Sequence, residues 1–114
     1  GDPMAERIGA RDYRCAAERI RTESALATGE DVAGAATRLA AALAELQERP
    51  APLEAWKSAR LLAIARRRLG DEEGARASFA QAASAVGTIA AGTRDEALRN
   101  GFLALPLVRE VLEA

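Results

Sequence analysis

Five cations crowd one stretch of this sequence, Lys57, Arg60, Arg66, Arg67 and Arg68. Lys57, Arg60 and Arg67 stand at i, i+3 and i+10, which is one side of a helix, so their heads can converge on a single anionic group. Arg66 falls on the inward side and Arg68 between the two faces. Guanidinium and ammonium groups grouped in this way suit an acidic peptide or a carboxylate. The ordinary alternative is a solvated face neutralised by neighbouring acids such as Glu54 and Glu72. Nucleic acid is a poorer partner for the cluster. Nearby acids balance it, and no aromatic residues interleave it for base stacking.

No other group of residues carries chemistry. Histidine is absent, which removes the commonest general base and metal ligand. One cysteine without histidine leaves no zinc set, and no glycine-rich phosphate loop occurs. Ser24, Ser58, Ser78 and Ser84 have no base to activate them. Asp71-Glu72-Glu73 is read as helix-start charge rather than a metal site. A non-catalytic chain with no cofactor and no metal is expected.

The cations must be positioned by the stretch from Trp56 to Ile89. Trp56, Ala59, Leu62, Ala63 and Leu69 share one face of a helix, and Ala75, Phe79, Ala82, Val86 and Ile89 share one face of a second. Between them Gly70 can take the left-handed conformation that ends a helix, and Asp71 can cap the next. Two helices joined by so short a turn lie antiparallel and share their apolar faces.

A second copy precedes this one. Gly29-Glu30-Asp31-Val32-Ala33-Gly34-Ala35 returns as Gly70-Asp71-Glu72-Glu73-Gly74-Ala75, with one residue inserted in the first copy. Ala35, Leu39 and Ala42 correspond to Ala75, Phe79 and Ala82. Gly34 and Gly74 occupy the same slot, where glycine costs ~1 kcal/mol relative to alanine, and a close helix–helix approach is the expected reason. The first helix of this copy spans about Ala5 to Thr28, with Ile8, Cys15, Ala16, Ile20 and Ala27 on one face and Arg7, Arg11, Arg14 and Arg21 mostly elsewhere. Glu18 is spaced to pair with Arg21 or Arg14. Cys15 is expected to be a small core residue. The second helix carries Val32, Ala35, Ala36, Leu39, Ala42, Leu43 and Leu46 and is stopped by Arg49-Pro50-Ala51-Pro52.

After Ile89, Thr93-Arg94-Asp95-Glu96 reads as a capping box with Thr93 as the cap. Asn100-Gly101 reads as a stop, and Phe102-Leu103-Ala104-Leu105 as an apolar connection. Pro106 opens a last helix bearing Leu107, Val108, Val111 and Leu112.

Ala75, Phe79 and Ala82 resemble the A-x-x-x-F-x-x-A core of a tetratricopeptide repeat, with Leu62-Ala63 and Leu69-Gly70 at that family's first-helix positions. Trp56 lies three residues before the usual aromatic slot, which holds Ala59, and Gly87 stands in the closing proline slot. The segment from Leu98 to Arg109 resembles the end of the repeat region in large bacterial regulators that join a signalling ATPase or kinase module to such repeats. The resemblance implies that the first helix of each pair lines a concave groove, so the partner-binding residues would be Lys57, Arg60, Ile64 and Arg67. It implies a protein or peptide partner, acidic in character, for an assembly module of a larger bacterial regulatory protein. The alternatives it leaves are a small-ligand sensor domain, as in regulators whose repeats hold an inducer, and a homodimerisation module.

Length and composition agree with this class. The 114 residues bound one small domain, and 29 alanines with few strand formers favour close-packed helices. A net charge of −1 exerts no pull toward nucleic acid or an anionic membrane. A single cysteine forms no intrachain disulfide, no run is long and apolar enough to span a bilayer, and a cytoplasmic location is expected. Residues 1–4 resemble a cloning scar, which implies a piece of a longer protein. Residues 5–114 are expected to form one all-α domain, with hairpins over about 5–48 and 53–91 and capping helices over about 93–113.

Overall fold

In the computed structural model, residues 3–47 and 51–114 are described, with side chains from Tyr13 onward. Among them are six helices and no strand: α1 (Pro3–Thr28), α2 (Val32–Leu46), α3 (Pro52–Arg68), α4 (Glu72–Gly92), α5 (Glu96–Leu103) and α6 (Pro106–Glu113). The all-α expectation holds. The expected stop at Arg49-Pro50 and the side chains of Arg7, Ile8 and Arg11 lie outside the described residues.

The same local device starts α2 and α4. Gly29 and Gly70 have φ of +78° and +85°, the left-handed turn that glycine takes without a Cβ penalty. Asp31 and Asp71 then accept the backbone N–H of Gly34 at 3.2 Å and of Gly74 at 2.8 Å, satisfying one orphaned donor at each helix start. The residue inserted in the first copy falls between glycine and cap, and Asp31 itself is left-handed at φ 51°. Asparagine and aspartate tolerate that region best among non-glycine residues.

Gly34 has a reason other than the expected helix–helix approach, whereas Gly74 has both, since a Cβ there would also lie 3.0 Å from the Arg66 Cδ of α3. A Cβ on Gly34 would lie 2.7 Å from the Asp31 carboxyl carbon, and one on Gly74 would lie 2.7 Å from that of Asp71. Each glycine makes room for the capping carboxylate folded over the first turn. Gly34→Ala is therefore expected to destabilise the native chain by crowding Asp31. In an Asp31→Ala background, which itself loses about 1 kcal/mol of capping, the same change is expected to stabilise by up to about 1 kcal/mol through helix propensity. Thermal melts of the two single variants and the double variant measure this reversal, and additive effects would refute it.

Helix α3 is the centre of the packing. It pairs along its length with α4 and also touches α1 and α2, while α5 and α6 pack on α4 and on each other. The expected stripe of α2, from Val32 to Leu46, is buried at every position. Trp56, Ala59, Leu62 and Ala63 are buried on α3, as are Ala75, Phe79, Ala82 and Val86 on α4. Leu69, at the end of α3, is instead 48% exposed.

The inward face of α1 differs from the expected one. Cys15, Glu18, Thr22 and Ala25 are buried, at i, i+3, i+7 and i+10, while Ile20 and Tyr13 are exposed. Cys15 is the small core residue expected of it. Two of the buried residues are polar because partners meet them inside. The Thr22 hydroxyl donates to the Glu18 carbonyl at 2.7 Å, and the Glu18 carboxylate lies 2.6 Å from Arg21 and 3.4 Å from Arg38 of α2. Arg14, the other residue spaced to pair with Glu18, reaches across to Glu45 of α2 at 2.6 Å.

Two further boundaries move. Thr93 caps the end of α4, its hydroxyl donating to the Ile89 carbonyl at 2.7 Å. The cap of α5 is Asp95, which accepts from the Leu98 N–H at 3.0 Å. Asn100 and Gly101 lie within α5, whose helix continues through Phe102 and Leu103. Here the stop comes from Pro106, which disfavours helical geometry in Leu105. Continuation matters for packing, because it carries Phe102 onto Trp56 with ring centroids 6.1 Å apart and planes at 79°. That is an edge-to-face aromatic pair.

Candidate partner-binding face and cleft

Helix α3 is flanked by α4, α1 and α2, and its exposed residues are Leu53, Lys57, Arg67 and Arg68. Of the four residues expected to face a partner, Lys57 and Arg67 are thus exposed, whereas Arg60 and Ile64 are only half-open. The other residues from Ser58 to Ala65 are buried. Arg66 is half-buried and donates to the Ser78 hydroxyl of α4 at 2.7 Å. Arg68 donates to the Leu26 carbonyl of α1 at 2.6 Å.

The three cations do not line one cleft. Glu110 of α6 accepts from Arg60 Nε at 3.0 Å and Nη2 at 2.9 Å, and the Arg60 side chain is only 17% exposed. Arg67 is held by Glu72 at 3.0 Å, with its guanidinium 5.2 Å from the Phe79 ring centroid. The neutralising role expected of Glu72 is real, whereas Glu54 serves Arg19 on α1 at 2.7 Å. Lys57 has no ion pair among the described residues. A cleft of about 180 Å³ receives Lys57 and Arg60, and a separate one of about 170 Å³ receives Arg67, where Arg76 joins it. Ile64 lines neither.

The first cleft lies between α1, α3 and α6. Arg19 and Glu23 form its α1 wall, Trp56, Lys57, Arg60 and Leu61 come from α3, and Leu107 comes from α6. A polar chain behind it fastens α1 to α3. Arg19 Nε and the Ser58 hydroxyl both donate to Glu54 Oε1, at 2.7 Å and 2.9 Å. Cys15 Sγ is 3.2 Å from Ser58 Oγ. An ionised carboxylate only accepts, so the Ser58 proton goes to Glu54. The Ser58 hydroxyl is thereby engaged in holding two helices together and is fully buried.

Sequence reasoning missed Arg19, Glu23 and Arg76. The first two belong to a helix whose inward face was placed differently, and no spacing within α3 announces them. Among the described residues no group of three metal-ligating side chains forms, and no helix is long and apolar enough to cross a membrane. Comparison with protein-family models, curated proteins and solved structures finds no match to the chain.

Proposed function

We propose that this chain is a non-catalytic, tetratricopeptide-like binding module of a larger bacterial, cytoplasmic regulator, and that it engages a protein or peptide partner of acidic character. In this reading α1–α2 and α3–α4 are two stacked hairpins and α5–α6 cap the stack. The repeated glycine turn, aspartate cap and first-turn glycine of α2 and α4 support the two-unit description. The observation that carries the binding reading is the exposure of Lys57 and Arg67 along one face of α3, with Arg60 and Ile64 half-buried between them.

The contacts sort the four residues into different roles. Lys57 is the cation available as it stands. Arg67 uses its Nε on Glu72 and keeps other donors for a carboxylate. Arg60 serves the partner mainly by holding α6 in place through Glu110. The double reversal Lys57→Glu with Arg67→Glu is expected to weaken binding to the parent protein's partner at least tenfold, about 1.4 kcal/mol, and to shift the melting temperature little, since exposed pairs contribute ~0–1 kcal/mol. The wild-type affinity should fall as salt rises. Titration of the double variant against that partner decides it, and unaltered affinity would leave these residues as a solvated face.

A further inference from the structure

The cleft between α1, α3 and α6 has a charge pattern that the acidic-partner reading does not use. Four charged side chains line it, Arg19, Glu23, Lys57 and Arg60. Two are already neutralised within the chain, Arg19 by Glu54 and Arg60 by Glu110. The remaining two are of opposite sign, Glu23 on the α1 wall and Lys57 on α3, and neither has an ion-pair or hydrogen-bond partner among the described residues. They line one cleft yet do not bond to each other. Trp56, Leu61 and Leu107 form its apolar surface. Trp56 is 5% exposed and its indole N–H has no acceptor among the described residues, which is uncommon for a buried donor.

A ligand complementary to this set carries an ammonium group, a carboxylate and an apolar body. We infer that the cleft binds a small zwitterion of the free amino acid class, with an aliphatic or aromatic side chain. Glu23 takes the ammonium group, Lys57 takes the carboxylate, and Trp56, Leu61 and Leu107 pack the side chain. At about 180 Å³ the cleft is smaller than the roughly 300–1,000 Å³ that accommodates drug-sized ligands, which fits a molecule of amino-acid size. An acidic peptide alone would leave Glu23 facing like charge, which is unfavourable. This inference goes beyond partner binding and does not depend on it, although Lys57 belongs to both surfaces.

The single tryptophan provides one indole N–H resonance in a nitrogen-15 correlation spectrum of the full chain. Titration with free leucine, methionine and phenylalanine to millimolar concentration is expected to move that resonance saturably, together with the backbone signals of Glu23, Lys57 and Leu107. N-acetyl-leucine, which lacks the ammonium group, and leucinamide, which lacks the carboxylate, are each expected to bind about tenfold more weakly than leucine. Glu23→Gln should abolish the distinction between leucine and N-acetyl-leucine, and Lys57→Gln that between leucine and leucinamide. Both residues are exposed, so the variants should retain the wild-type spectrum elsewhere. Absence of saturable shifts with all three amino acids would overturn the proposal. Equal binding of leucine and its two derivatives would overturn it as well, since only the apolar body would then be recognised.

Discussion

Trp56→Ala is expected to cost about 3–5 kcal/mol and to release α5 before the rest of the chain unfolds. Trp56 is buried at 5% exposure in the core of α3, so truncation leaves a cavity the size of an indole ring. The loss is a large share of the 5–15 kcal/mol, roughly, that stabilises a domain. Its second effect follows from how α5 is attached. That helix has no fully buried residue of its own, and Phe102 and Leu103 are the residues it packs against the core. Phe102 meets Trp56 edge to face. Chemical denaturation measures the first effect, and amide hydrogen exchange resolved by helix measures the second. Trp56→Phe should restore most α5 protection by keeping an aromatic partner for Phe102. Undiminished protection of α5 in Trp56→Ala would show that the helix is held by other contacts.

Leu39→Ala is expected to cost about 2–5 kcal/mol. Leu39 is fully buried in the middle of the α2 stripe. The lost transfer free energy adds to the cost of a cavity that close-packed neighbours fill only in part. The contrast is Leu53→Ala, on the same scale of chemical change but at a residue 62% exposed. That substitution should stay within about 0.5 kcal/mol, as surface changes do. Paired thermal melts compare the two. Similar shifts for both variants would mean that α2 does not pack as described.

These expectations separate features that are local in the chain from those that are not. The turns at Gly29 and Gly70 and the caps at Asp31 and Asp71 involve groups within a few residues of one another, so their chemistry is written in short sequence spacings. The buried stripes of α2, α3 and α4 also follow from local sequence, because a period near 3.6 assigns each apolar residue to a face wherever the helix is placed. The exposure of Lys57 and Arg67 was legible for the same reason, as part of the complement of the buried positions.

The inward face of α1 was not, because its apolar residues are too few to define one. There the choice fell to polar partners on other helices, Arg38 for Glu18 and Ser58 for Cys15, and Ile20 was left outside. The helical state of Asn100 and Gly101 ran against their local preference, and with it Phe102 meets Trp56. The fate of the cations depended on acids far away in sequence or on another helix. Glu110 lies 50 positions from Arg60 and Glu54 lies 35 from Arg19. Sequence alone determined the apolar faces of α2, α3 and α4 and the two glycine–aspartate turns, since those arise from interactions within one or two helical turns. Only the tertiary structure decided which charges are neutralised and that Glu23 and Lys57 share a cleft, since those depend on how α1 and α6 pack against α3.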